Sequence, residues 1–227
     1  MTDPIQSVAR ALGDDIAALN AISHNVANIN TPGFRAEKAI PGFGAYLQPE
    51  QSAVMRNLSD GPLKQTGDAL DLALRGKGFF VVERDGVPVL VRSGQFRLDA
   101  EGMLVTARGD RVQGKNGAPL ALGGKNVRVD STGELWSGSQ SLGGLHLVDV
   151  QEPARLVALD GGGFRYDGEF VEWRGKVEQG AVESSNVDAA GETIRLMELV
   201  RHVESVQRAI SIYDKAMEIG IGRIGEN

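Results

Sequence analysis

The chain contains no cysteine. That absence removes disulfides, cysteine nucleophiles, thiolate metal sites and iron–sulfur clusters together. Aromatic residues are scarce at 5%, and Trp136 and Trp173 stand isolated, so no aromatic series offers a platform for nucleic-acid bases. A basic excess is also missing: Lys+Arg 24 against Asp+Glu 30 gives a net charge of -6, which argues against a nucleic-acid partner. No segment approaches the roughly 18 apolar residues of a membrane helix, so membrane insertion is not expected. The opening Met1-Thr2-Asp3-Pro4-Ile5-Gln6 lacks the basic region and apolar run of a cleaved signal peptide, so an exported protein of this sequence would need a route without one.

Residues that carry chemistry are thin as well. The three histidines are His24, His146 and His202, and none has another His or a carboxylate at a metal-ligand spacing with a matching partner elsewhere. Asp68 and Asp71 form the nearest close acid pair in the middle of the chain, but three-residue spacing puts them on opposite faces of a strand, and turn capping is the expectation. Ser184-Ser185 lack a Gly-x-Ser-x-Gly elbow. Gly76-x-Gly78 precedes a strand rather than a helix, so it cannot cradle a phosphate at a helix N-terminus. The residues therefore point away from an enzyme, and no metal, cofactor or small-molecule substrate is expected.

What is present is glycine (30 residues), an ordinary hydrophobic share of 41%, and two kinds of periodicity. From Asp3 the pattern is helical. Asp3 suits an N-cap and Pro4 the first helical position. Ile5, Val8, Leu12, Leu19, Ile22, Val26 and Ile29 then fall at alternating steps of three and four, with Asp15 interrupting the series and Ile16 beside the gap. Asn28, Asn30, Pro32 and Gly33 end it. Near the other end, Ser185 and Asp188 have capping-box spacing. Leu196, Leu199, Val203, Val206, Ile210, Tyr213 and Met217 follow in the same alternation, with Ile224 one heptad further and Arg201, Arg208 and Lys215 recurring on the opposite face. Such a helix would run roughly 45 Å, frayed at Gly220, Gly222 and Gly225.

Between the helices the period changes to two. Leu70, Leu72 and Leu74 alternate, Phe79 to Val82 form a short apolar run, and Val87, Val89 and Val91 alternate again. Phe96 and Leu98, Leu104 and Val105, Val127 and Val129, and Leu145 and Leu147 continue the series. Turn signals separate them, among them Asp85-Gly86, Gly123-Gly124, Thr132-Gly133 and Gly161-Gly162-Gly163. The expected class is α+β, mainly β, with an all-β central domain and long terminal helices forming a coiled-coil-like domain. Its segments are 1–34 (helix), 35–65 (extended connector), 66–180 (all-β) and 181–227 (helix). The helical stripes must be covered, either within one chain or by other chains. Ile194, Met197, Val200 and Ile212 lie off the seam of the second helix, and so broad an apolar face favours an assembly of more than two helices.

Four blocks of residues together resemble a known family. Asn25-Val26-Ala27-Asn28 with Thr31-Pro32-Gly33-Phe34-Arg35 is similar to the N-terminal signature of the bacterial flagellar rod and hook proteins. Leu70-Asp71-Leu72-Ala73 with Gly76-x-Gly78-Phe79-Phe80-Val81-Val82 resembles the start of that family's β domain. Arg92-Ser93-Gly94-x-Phe96-x-Leu98-Asp99 matches its next block, and Gly180-x-Val182-Glu183-x-Ser185-Asn186-Val187 the entry to its last helix. The blocks occur in the family's order. Val203 departs from the pattern, standing where the family usually has an aromatic residue.

The resemblance implies a structural subunit of the flagellar basal body without a catalytic site. Its terminal helices would form the inner coiled-coil layer of a tube and its β domain the outer layer. Its partners would be rod subunits of the same and of other kinds, and the flagellar export apparatus, which moves subunits to the periplasmic rod. The short length and the Pro32-Gly33-Phe34-Arg35-Ala36 form place the likeness nearest the proximal-rod members, with distal-rod or hook-type subunits as the alternative. Outside the family, the rival is a self-contained secreted β module with its own helical hairpin. The side chains expected to pack between helices are Leu12, Leu19, Ile22, Val26, Leu199, Val203, Val206, Ile210 and Tyr213. The helices are expected to stay mobile until neighbours complete their seams.

Overall fold

The computed structural model describes residues 4–40, 54–123, 126–160 and 162–225. The middle of the expected connector (41–53), Gly124 and Gly161 of two expected turns, and the side chains of Ile5, Met217 and Ile224 lie outside the described set.

Two helices frame a mainly β chain. Helix α1 spans Pro4–Ala27 and α2 spans Ala189–Gly225. The strands are β1 (Glu37–Ala39), β2 (Val54–Arg56), β3 (Leu63–Gln65), β4 (Leu72–Arg75), β5 (Phe79–Arg84), β6 (Val87–Val91), β7 (Phe96–Leu98), β8 (Leu104–Thr106) and β9 (Arg111–Val112). They continue as β10 (Arg128–Val129), β11 (Glu134–Ser137), β12 (Gln140–Gly144), β13 (Leu147–Val150), β14 (Val157–Ala158), β15 (Phe164–Arg165), β16 (Phe170–Glu172), β17 (Lys176–Gln179) and β18 (Ala181–Glu183). The chain divides into two units. One holds residues 1–27, 37–55 and 188–227; the other holds 28–36 and 56–187.

The β unit is organised by its period-two pattern. Its largest sheet runs β14-β15-β6-β5-β9-β8-β7, and β13 pairs with both β5 and β16. Strand β5 is central, which is why Phe79-Phe80-Val81-Val82 is apolar at every position: both faces are covered. Phe80 and Val82 point into a core with Leu72, Leu74, Leu104, Leu135 and Leu145. Phe79 and Val81 point the other way, into a smaller core with Leu90, Val148, Val150 and Leu156. An edge-to-face contact at 5.1 Å joins Phe80 to Phe96, and one at 5.7 Å joins Phe79 to Phe164.

Turn chemistry sets the register. Arg84 pairs with Val87 across β5 and β6, leaving a two-residue loop of Asp85 (φ 53) and Gly86 (φ 77). Two consecutive positive φ values make this a type I′ turn, whose twist matches the strands, as the Asp-Gly pair predicts. Asp68 accepts a 2.9 Å hydrogen bond from the Leu70 N–H, so it caps a turn as expected.

Several sequence expectations change. The N-cap of α2 is Asp188, whose carboxylate accepts from the Ala190 N–H at 3.1 Å; Ser185 instead accepts from the Val187 N–H at 3.3 Å, so the two residues do not form a capping box. Residues 181–183, placed with the last helix, form β18, and the connector range contains β1, β2 and β3. Helix α2 runs on through Gly220 and Gly222 to Gly225, beyond the expected point of fraying.

Asp130 shows how a single side chain holds a turn. Its Oδ1 accepts from the Thr132 hydroxyl (2.6 Å), the Thr132 N–H (2.8 Å) and the Glu134 N–H (3.1 Å), and its Oδ2 from the Trp136 indole (3.2 Å). These donors, the Thr132 hydroxyl foremost, hold its pKa down to about 2 from 3.8. A carboxylate depressed in the folded state adds stability that is complete above its unfolded value and is lost as pH falls through its folded one. Acid titration of thermal unfolding should therefore show a loss between about pH 4 and pH 2, and Asp130→Asn should make that limb shallower without abolishing the fold.

Candidate functional site

Two places gather the residues singled out in the sequence, one in each unit. In the β unit the centre is Glu183, the last residue of β18, which is 1% exposed. A buried carboxylate needs charged partners. Arg35 Nη1 reaches its Oε1 at 2.7 Å and Arg92 Nε reaches its Oε2 at 2.5 Å, while the Gly61 N–H donates to Oε1 at 2.6 Å. Arg92, itself buried, spends its other donors on the carbonyls of Leu74 (2.7 Å), Gly76 (2.8 Å) and Gly78 (2.7 Å) and on Asp60 (3.1 Å). Arg35 also donates to the Ser59 carbonyl. Burial, and then the neighbouring Arg92 guanidinium, pull the Arg35 pKa below its ordinary value, opposed by Glu183 and Asp60.

The signature residues build the walls of this clasp. Thr31 donates its N–H to the Asn28 carbonyl (3.0 Å) and its hydroxyl to Asn28 Oδ1 (3.1 Å), and Phe34 closes the turn through a 3.2 Å bond to the Thr31 carbonyl. Pro32 and Phe34 are half-buried between them. Gly33 sits at φ +70 and donates to the Glu183 carbonyl at 2.8 Å; a Cβ there would lie 2.5 Å from the Ser93 nitrogen, so only glycine fits. Asn186 accepts from the Ala36 N–H (2.7 Å) and donates to the carbonyls of Asn57 and Ser59 (both 2.8 Å). Ser185 is buried and Val187 half-buried beside it.

The other unit carries Asn25, fully buried on α1. Its amide donates to the Glu37 carbonyl and accepts from the Glu37 N–H, both at 2.7 Å, so the side chain acts as a strand partner for β1. His24 pairs with the Glu37 carboxylate at 3.0 Å. Asp15, the interruption in the α1 stripe, is buried and pairs with His202 of α2 at 3.0 Å. A polar residue at a seam position is thus matched across the helix pair. His146 stands apart: burial lowers its pKa, and its Nδ1 has no partner among the described residues.

The expected interhelix side chains divide into two groups. Ile22 is buried and Leu199, Val203 and Val206 are half-buried. Leu12, Leu19, Val26, Ile210 and Tyr213 are each about 40–50% exposed. Ile16, Ile194, Leu196, Met197, Val200 and Ile212 add to the open apolar surface, so eleven of the sixteen exposed large apolar side chains among the described residues lie on the two helices. No group of three or more His, Asp or Glu residues converges to hold a metal among the described residues. Arg35, Arg92 and Glu183 each fall within a signature block, and nothing in their spacing shows that they meet.

Three protein families match separate stretches of the chain. Residues 5–35 match the flagella basal body rod protein family, 73–137 the flagellar hook protein FlgE/F/G D1 domain, and 178–222 the flagellar basal body rod FlgEFG protein C-terminal family. A flagellar basal-body rod protein FlgF of Rhizobium meliloti is 30% identical, with 91% of each chain covered. This chain belongs to the flagellar basal-body rod protein family. The FlgF of Caulobacter vibrioides is 28% identical over 92% of each chain. A FlgG of Buchnera aphidicola is 25% identical over 88% of this chain and 91% of the relative. The clasp lies across the rod-family signatures, since Arg35 ends the first matched block and Glu183 falls in the last. Glu183→Gln would leave two buried guanidinium groups facing a neutral amide and the half-exposed Asp60. We expect it to lower the unfolding free energy of the full chain by about 3–5 kcal/mol, measured in urea.

Proposed function

We propose that this protein is a structural subunit of the flagellar basal-body rod, of the proximal-rod type, and not an enzyme. Membership of the rod family and the FlgF relatives support this reading. One observation carries the mechanism: among the described residues, eleven of the sixteen exposed large apolar side chains stand on the two terminal helices, while the β unit packs most of its large apolar residues into two cores and exposes only Val87, Val157, Phe170 and Val171. The helices form an inner coiled-coil layer with those of neighbouring rod subunits, homotypic and heterotypic. The helical unit supplies that layer, and the β unit, which takes in the signature turn, β3 and β18, forms the outer domain. The interhelix contacts are Leu12, Leu19, Ile22, Val26, Leu199, Val203, Val206, Ile210 and Tyr213.

Head-to-tail contacts that do not close on themselves generate a helical tube. Packed helices running along such a tube transmit torque through side-chain contact. An open seam leaves the free subunit short of buried area, and isolated helices are marginal in water, so helix order is completed on assembly. That restrains polymerisation before the subunit has passed through the flagellar export apparatus to the periplasmic rod. Fractionation of basal bodies with an antibody to this chain tests the placement. Val203→Asp puts a charge into the half-buried seam. It should reduce incorporation at least about tenfold while leaving the β-unit unfolding transition unchanged. Normal incorporation of that variant would overturn assembly through this seam.

A further inference from the structure

The two helices of the helical unit run antiparallel. Asp15 meets His202, and Ala18 and Ile22 share a groove with Arg195 and Leu199, so positions rise along α1 as they fall along α2. In α1 the line Val8, Ala11, Asp15, Ala18, Ile22 and Asn25 recurs at steps of three and four, and none of these residues is exposed. A second line stands one residue ahead of it. Its members Leu12, Ile16, Leu19 and Val26 are 43–53% exposed, and Ser23 is the one polar position between Leu12 and Val26. The stripe read from the sequence therefore combines two faces of α1. Helix α2 repeats the offset: Met197 and Val200, one residue ahead of Leu196 and Leu199, are about half exposed. An antiparallel pair keeps like flanks of its helices on one side, because the two-fold axis relating them is perpendicular to the plane they share. One flank is lined by β1, whose Glu37, Lys38 and Ala39 border the groove with Ala21, Arg195 and His202. The other flank carries the six exposed apolar residues, and a grouped apolar surface of this kind marks a contact.

A second open surface lies further along α2. With Asp15 level with His202, the start of α1 at Pro4 falls level with Tyr213, and α2 continues to Gly225, about 18 Å further. The seam that is half-buried at Leu199, Val203 and Val206 thus runs past the end of its cover. Ile210 and Tyr213 continue the same line, yet they are 39% and 44% exposed. One unbroken helix carries both this distal seam and part of the apolar flank, so the two surfaces cannot meet within one chain. We infer that the apolar flank of α1 covers the distal α2 seam of a second copy of the chain. Continuity selects the occupant: α1 is what closes this seam nearer the start of α2, and a further α1 face is what the seam lacks beyond Val206. Contact between unlike surfaces leaves each pair with a free flank and a free seam, so it propagates rather than closing as a dimer. This inference rests on the rod-subunit reading and names which faces of the helices meet.

The test is sedimentation velocity of the purified full chain over a range of concentrations, with circular dichroism of every variant. The wild-type chain should form oligomers larger than dimers. Leu19→Glu blocks the flank and Tyr213→Glu blocks the distal seam. Both positions are exposed and Glu suits a helix, so circular dichroism should not change. Each variant alone should associate at least about tenfold more weakly than wild type. An equimolar mixture of the two keeps one intact flank and one intact seam, and should give dimers that grow no further. Val26→Glu and Ile210→Glu repeat the test at a second position on each surface. A wild-type chain that stays monomeric, unimpaired association of a single variant, or a mixture no more associated than either variant alone would overturn the contact. Absence of the chain from isolated basal bodies would instead remove the rod reading, and the solution measurement would still decide the contact.

Discussion

A single carboxylate, Glu183, sets the most demanding condition in the β unit. It is almost fully withdrawn from water, and it is tolerable there only because two guanidinium groups and a backbone N–H meet it at hydrogen-bonding distance. Those partners come from the signature turn, from the end of β6 and from the loop before β3. None of them can be displaced without exposing the others to an unpaired charge. Arg92 adds to the constraint by capping the carbonyls of Leu74, Gly76 and Gly78. Gly33 has no room for a side chain against the Ser93 backbone for the same reason: the turn is pressed onto the segment that carries Arg92. The signature thus describes a built joint rather than a surface for recognition.

The two units solve the burial problem differently. In the β unit, alternation sends consecutive residues of β5 into opposite cores, so every apolar side chain of that run finds cover within the chain. In the helical unit a stripe on each helix covers one line of contact and leaves a wide apolar margin. Polar residues inside the seam, Asp15 with His202 and Asn25 with the Glu37 backbone, fix how α1 meets α2 and β1. They add direction where an all-apolar seam would permit slippage. The β unit covers both faces of its central strand, while large apolar side chains stay exposed on both helices.

Much of the architecture was legible because it is written in local steric and periodic terms. Steps of three and four marked both helices, and alternation with the Asp85-Gly86 turn marked β4 to β8. Short strands such as β11, β12, β17 and β18 were not legible. They contain glycines and charged residues whose strand state comes from pairing, as Lys176–Gln179 pairs with β4 and Ala181–Glu183 with β3. The start of α2 was misplaced because Ser185 and Asp188 both carry capping side chains, and only the backbone path selects between them.

The sequence by itself determined the kinds of element, their order, the tight β5–β6 turn and the four signature blocks that mark the family. These follow from backbone sterics and from side-chain spacing within a few residues. Only the tertiary structure decided that Arg92 and Glu183, 91 residues apart, form one buried pair. It also decided that Asp15 is matched by His202, 187 positions along the chain, rather than being a flaw in a stripe. A charge has no intrinsic sign of being buried. Its environment is assembled by folding, and its partner is chosen by distance in space.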